Sequence, residues 1–140
     1  MNWEAISAIG QLVGALAVVI SLRATLDNFN RLGQQLTGDP DLAGLYYRGC
    51  DDLESLEGVD RSRFDWFMHQ IFRNMEDVHH QHLQGHLEPH LWRGLEVTMR
   101  DLNTAPGVQA WWRSHSLYFG GEEFAKFINR QQQTATGHDD

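Results

Sequence analysis

The sequence has a single cysteine, three prolines and, among its eleven cations, one lysine. Each scarcity excludes something. Cys50 alone cannot form an intramolecular disulfide, and neither a CxxC pair nor a nucleophile signature surrounds it, so it is expected to be a small core residue in a reducing compartment. Eleven basic residues against nineteen acidic give a formal charge of −8. The arginines stand singly, with no basic cluster. A protein that grips a phosphate backbone gathers its cations on one face, so no nucleic-acid partner is expected. Serines are few and none sits in a nucleophile elbow. No glycine-rich phosphate loop is present either, since Gly120-Gly121 between aromatics and acids reads as a helix break. No cofactor is implied, and an enzymatic role is not favoured.

Residues 5–22, AISAIGQLVGALAVVISL, carry no formal charge. As a helix at ~1.5 Å per residue they span about 27 Å, close to the ~30 Å hydrocarbon core of a bilayer. Half of them are Leu, Ile or Val, each favouring insertion by roughly 0.3–0.6 kcal/mol near the bilayer centre. Spaced at 100°, Ile6, Ile9, Leu12, Val13, Leu16, Val18, Val19, Ile20 and Leu22 point all round the axis. A surface helix keeps a polar side, and this one has none. It is expected to cross the membrane, with the span assigned to residues 1–23. No basic residue precedes it and no cleavage site follows, so a signal peptide is not expected. Glu4 before it, and Arg23 and Arg31 after it, orient the remainder into the cytoplasm. The alternative is a wholly soluble protein with 5–22 as its core helix.

Inside the segment Ser7, Gly10, Gly14, Ala17 and Ser21 are spaced 3-4-3-4, in one stripe. Small side chains let helix backbones approach closely in lipid, so this stripe is the candidate surface for helix–helix packing and a homo-oligomer.

The rest reads as helical. Leu26, Phe29, Leu32 and Leu36 continue the spacing as an amphipathic stalk over 24–38. Asp39-Pro40 caps and opens a helix whose face is Leu42, Leu45, Tyr46 and Cys50. An acidic linker, 51–59, leads to Asp60, the expected N-cap of the longest domain helix. That helix carries Phe64, Phe67, Met68, Ile71, Met75 and Val78 and stops at Gly85. Glu88-Pro89 begins a helix buried through Leu91, Trp92, Leu95, Met99 and Leu102. A short helix follows the turn 103–107, its Trp111-Trp112 read as one core and one interfacial residue. A last helix carries Phe124, Phe127 and Ile128, with Glu122 and Glu123 at its start as the macrodipole favours. No segment alternates as a strand does. The fold class is therefore all-α: an N-terminal transmembrane helix, a helical bundle of about four to five helices over 39–131, and a disordered tail over 132–140.

The stretch Glu76–His90, EDVHHQHLQGHLEPH, holds five of the eight histidines. Glu76, His79, His80 and His82 have the i, i+3 and i+4 spacings of a helical metal site, and define the alternative of a metal-binding protein or metal-dependent enzyme. Against it, Gly85 and Pro89 interrupt the helix, and Glu-x-x-His occurs once where a di-metal bundle needs a companion. No metal is therefore expected. His82 reads as core-flanking, His69 and His80 as solvated.

The succession WEAISAIGQLVGALAVVISL, DPDLAGLYYRG, RFDWFMHQIFRNMEDV, QGHLEPHLW and PGVQAWW, over residues 3–127, resembles a family of small uncharacterised bacterial single-pass membrane proteins. The resemblance implies an N-terminal transmembrane helix and a helical cytoplasmic domain, with no activity or site residue to carry over. Two departures stand out: a shorter polar stretch between Leu22 and Asp39, and His79, His80 and His86 in place of aromatic and polar residues. The expected partners are the membrane, a second copy of the chain, and an unknown protein.

Overall fold

The computed structural model describes residues 2–136. It consists of helices α1 (Trp3–Gly38), α2 (Pro40–Asp51), α3 (Gly58–Leu83), α4 (Pro89–Asn103), α5 (Pro106–His115) and α6 (Glu122–Thr136), with 3-10 turns at Leu53–Ser55 and Ser116–Tyr118. No strand occurs among the described residues, and the chain is all-α as its periodicity implied.

The three prolines are punctuation. Each is the first residue of a helix, where its missing N–H costs nothing and its fixed φ suits the first turn. Asp39 caps α2 as expected, its side chain accepting from the backbone N–H of Asp41 and Leu42 at 3.0 and 3.2 Å. Asp60 does not cap α3. The helix begins two residues earlier behind Glu57, and Asp60 lies within its acidic first turn, 3.6 Å from Arg48. Gly85 ends α3 in the left-handed region at φ +74°. The Gly85 N–H donates to His82 and that of His86 to Gln81, which satisfies two carbonyls that the helix end would otherwise leave open.

α3 runs through the middle of the bundle. Its Phe64, Met68, Phe72, Met75 and Val78 meet Leu45, Trp92, Met99, Val108, Trp111, Trp112, Phe124 and Ile128 from the surrounding helices in one continuous core. Both Trp111 and Trp112 are core residues, 0% and 2% exposed, rather than one core and one interfacial. Each also finds a partner for its indole N–H: Asp65 at 3.1 Å and Asn129 at 2.9 Å. With α3 supplying the partner of one indole and α6 that of the other, neither ring needs a wet side.

The tail departs from expectation as well. Residues 132–136 continue α6, because Gln131 is buried and holds Asn103, its side-chain oxygen accepting from the Asn103 amide at 2.8 Å. The remainder of the expected tail, 137–140, lies outside the described residues. The amphipathic stretch 24–38 continues α1 and packs along α3, burying Thr25 and Leu32 and placing Phe29 against the core. Gln35 reaches the start of α3 beside Ser62, while Ser21 meets Gln81 near its end, so α1 and α3 run antiparallel.

Candidate functional site: an uncovered apolar helix and the bundle at its base

The first half of α1 leaves the bundle uncovered. In its most apolar eighteen-residue window 0% of residues are buried inside the chain, and the helix is long and apolar enough to cross a membrane. Leu12, Val13, Leu16, Val19 and Ile20 are all exposed, Leu12 at 71%. Residues 5–22 are thus no core helix of this bundle. Within the small-residue stripe, a Cβ added at Gly10 or Gly14 would meet nothing within 4 Å, so a second backbone can approach there. Ser21, the last member of the stripe, is engaged inside the chain: its hydroxyl accepts from the Gln81 side-chain amide at 3.1 Å.

Two clefts flank the docked half of α1. The first, of about 760 Å³, is of mixed character and includes Arg31, Asp65, His69, Arg73, Asp77 and His115. Two of its charged side chains, Arg73 and Asp65, are paired with neighbours outside the cleft. Arg73 pairs with Glu76 at 3.3 Å, donates to the Tyr118 carbonyl at 2.9 Å and lies 4.7 Å above the Phe119 ring. Asp65 takes Arg61 at 3.5 Å besides the Trp111 indole. His69 was expected to be solvated, yet it is ringed by Trp66, Trp111, His115, Tyr118 and Phe119 at 5.0–6.3 Å. Burial, then the neighbouring His115 and Arg73, hold it below its ordinary pKa and favour the neutral ring, against a smaller opposite pull from Asp65. Burial pushes the Asp77 carboxyl up, partly offset by Arg73 and His80.

The second cleft, of about 690 Å³, is apolar and includes Phe29, Leu36, Tyr46, Phe67, Ile71 and Cys50. Burial raises the Cys50 thiol to about 11, against a smaller lowering by its hydrogen bond with Tyr46. It is protonated at neutral pH and therefore no thiolate nucleophile. Burial likewise raises the neighbouring Tyr46.

The histidine-rich stretch does not converge. His79 is 5% exposed and sits in the core, stacked on Phe127 at 4.6 Å with Trp92 and Phe124 beside it. Burial holds its pKa down, with smaller effects from His82 and Arg130. His82 stacks face to face on Trp92, the ring centroids 3.8 Å apart. Glu76 is committed to Arg73, and His80 is exposed. Among the described residues no group of three His, Cys, Asp or Glu is placed to hold a metal ion.

The buried place of His79 and the half-buried, ring-lined place of His69 went unread because a helical wheel treats histidine as polar. The signal that could have found His79 is its position four residues after Met75 and seven after Phe72, both buried. No family model matches the chain, and no significantly similar curated protein or solved structure is found. The resemblance to small single-pass bacterial membrane proteins therefore rests on the order of segments alone.

Proposed function

We propose that this is a single-pass protein of the bacterial inner membrane, anchored by residues 5–22. Its helical domain faces the cytoplasm and serves self-association or the binding of another protein rather than catalysis. The observation that carries the reading is the uncovered apolar half of α1, continuous with a half that docks into the bundle. In water, such a surface would be an exposed apolar patch far larger than monomeric proteins tolerate. In lipid it is the ordinary exterior of a membrane helix. Arg23 and Arg31 on one flank, and Glu4 on the other, support the orientation. Gly10 and Gly14, open on the same helix, support pairing with a second copy. Among the described residues no metal-ligand set is assembled, Cys50 is held as a thiol, and Arg73 and Asp65 of the first cleft are taken up in ion pairs, which favours interaction over chemistry.

The reading is tested by single-cysteine labelling in a Cys50→Ser chain. Val97→Cys is expected to react with a membrane-impermeant maleimide in inverted vesicles and not in intact spheroplasts. Labelling from outside would place the domain on the other face of the membrane. For self-association, cross-linking in bilayers should fall when Gly10 and Gly14 are both replaced by Ile. Unchanged cross-linking would remove the stripe from the interface.

A further inference from the structure

We infer that the end of the bundle formed by the α3–α4 turn, 83–90, is a membrane-contact surface whose ligand is the phospholipid headgroup layer of the bilayer that α1 crosses. The inference rests on residues 5–22 spanning that bilayer.

α1 is one uninterrupted helix from Trp3 to Gly38, so the docked half fixes how far along the axis the domain sits from the span. The domain is fastened low. Gln81 donates through Nε2 to the Ser21 hydroxyl at 3.1 Å, and its Oε1 lies 2.8 Å from His86 Nδ1. The amide oxygen can only accept, so the imidazole donates. The chain Ser21–Gln81–His86 thus joins the last turn of the apolar run to the tip of the bundle.

Because α3 runs antiparallel to α1, residues after Gln81 advance toward the bilayer. Leu83 lies about 3 Å further along at 1.5 Å per residue, which brings it level with the apolar run rather than with the docked half. The headgroup zone adds roughly 5–8 Å on each side of the hydrocarbon. Ser21 is the last residue but one of the span, so a turn at its height lies at the boundary between hydrocarbon and headgroups.

The side chains suit the place. Leu83 is 54% exposed at the tip, where a solvated turn would be expected to carry a polar residue. Gln84, Gly85 and His86 are exposed beside it, and Arg23 stands exposed two residues beyond Ser21 on α1. The one carboxylate in the turn, Glu88, is 3.3 Å from His90. The tip therefore presents an apolar side chain, imidazoles and the Glu88–His90 pair to the headgroup layer, with Arg23 of α1 standing near the same level. Polar side chains with apolar bodies are favoured there.

The test uses the full chain in phosphatidylethanolamine–phosphatidylglycerol vesicles, with a fluorophore on one introduced cysteine in a Cys50→Ser background and nitroxide lipids as depth-graded quenchers. Leu16→Cys reports the span, Leu83→Cys and Gln84→Cys the tip, and Val59→Cys the opposite end of α3. All four sites are exposed, and helix content measured by circular dichroism verifies that each variant folds. Strong quenching at 16 by deep nitroxides, with quenching at 83 and 84 by headgroup-level nitroxides several-fold above that at 59, is expected. Quenching at 16 with 83 and 84 no different from 59 would overturn the surface contact and leave the span standing. No quenching at 16 would overturn the span, and the contact with it.

Discussion

Gly107 at the start of α5 lies against Gly49 of α2, and a Cβ at position 107 would overlap the Gly49 carbonyl oxygen. A Cβ at 49 would in turn strike the Phe64 ring. Two helix backbones meet there with no side chain between them, and the neighbour on the Gly107 side is backbone, which cannot swing away. Gly107→Ala is therefore expected to destabilise the bundle by about 3 kcal/mol, the upper part of the range for overpacking. Gly44→Ala, on the exposed face of the same α2 with nothing within 4 Å, should instead gain up to ~1 kcal/mol from helix propensity. Thermal melts of the two variants in one detergent compare them directly. Equal melting temperatures would remove the close crossing from the account.

Asn103 is fully buried and donates to both the Met99 carbonyl and Gln131 Oε1, while its own side-chain oxygen accepts from Gln132 at 3.1 Å. Asn103→Ala leaves buried amide atoms on α6 unpartnered, at a cost of roughly 1–3 kcal/mol. Amide exchange should accelerate first in the last two turns of α6, before the α3 core. Uniform acceleration across all helices would mean that this network does not hold α6 specifically.

His69 and His79 both have lowered pKa values, so the folded chain binds their protons less readily than the unfolded chain does. Their contribution is complete above the ordinary histidine value of about 6.5 and is lost as pH falls through it toward the folded values. Asp77, raised by burial, acts in the opposite sense, but in the carboxylate range below this window. The melting temperature should accordingly be lower at pH 5 than at pH 7.5. His79→Phe, which keeps the stack on Phe127, should shrink that difference. A melting temperature flat from pH 7.5 to 5 would contradict the buried placement of His79 and the half-buried placement of His69.

A metal bound by Glu76, His79 and His80 would require His79 to leave Phe127, and Glu76 to leave Arg73. Zinc titrated into chelator-treated protein is expected to show no stoichiometric tight site that depends on these residues. A one-to-one complex lost on Glu76→Gln or His80→Ala would reverse that conclusion.

Helix boundaries were legible where the punctuation is chemical: Asp39-Pro40, Glu88-Pro89 and Gly85 each mark an end as the sequence implied. The apolar stripe of α3 was legible too, because five of its six members are buried at helical spacing and Ile71 is half-buried. Phe72, fully buried, stands at the edge of that stripe, four residues after Met68 and three before Met75, and widens the buried face of α3 beyond the six positions expected. The fate of residues 24–38 was not legible either. An amphipathic pattern states that one face is covered, but not whether the bundle on the same chain covers it. Gln131 was hidden for a similar reason, since a run of three glutamines looks like tail until a buried asparagine is found waiting for one of them.

Membrane insertion of residues 5–22 is the claim on which the others lean, and fractionation tests it most directly. Cells expressing the full chain are lysed, ultracentrifuged and the pellet washed with alkaline carbonate, beside a Leu12→Arg/Leu16→Arg variant. Each arginine near the bilayer centre costs roughly 2.5–3.5 kcal/mol on the insertion scale, so two outweigh the few kcal/mol supplied by the aliphatic residues. The account expects the natural chain to stay in the washed pellet and the double variant to leave it. Release of the natural chain into the supernatant as a monodisperse, detergent-free species would contradict it.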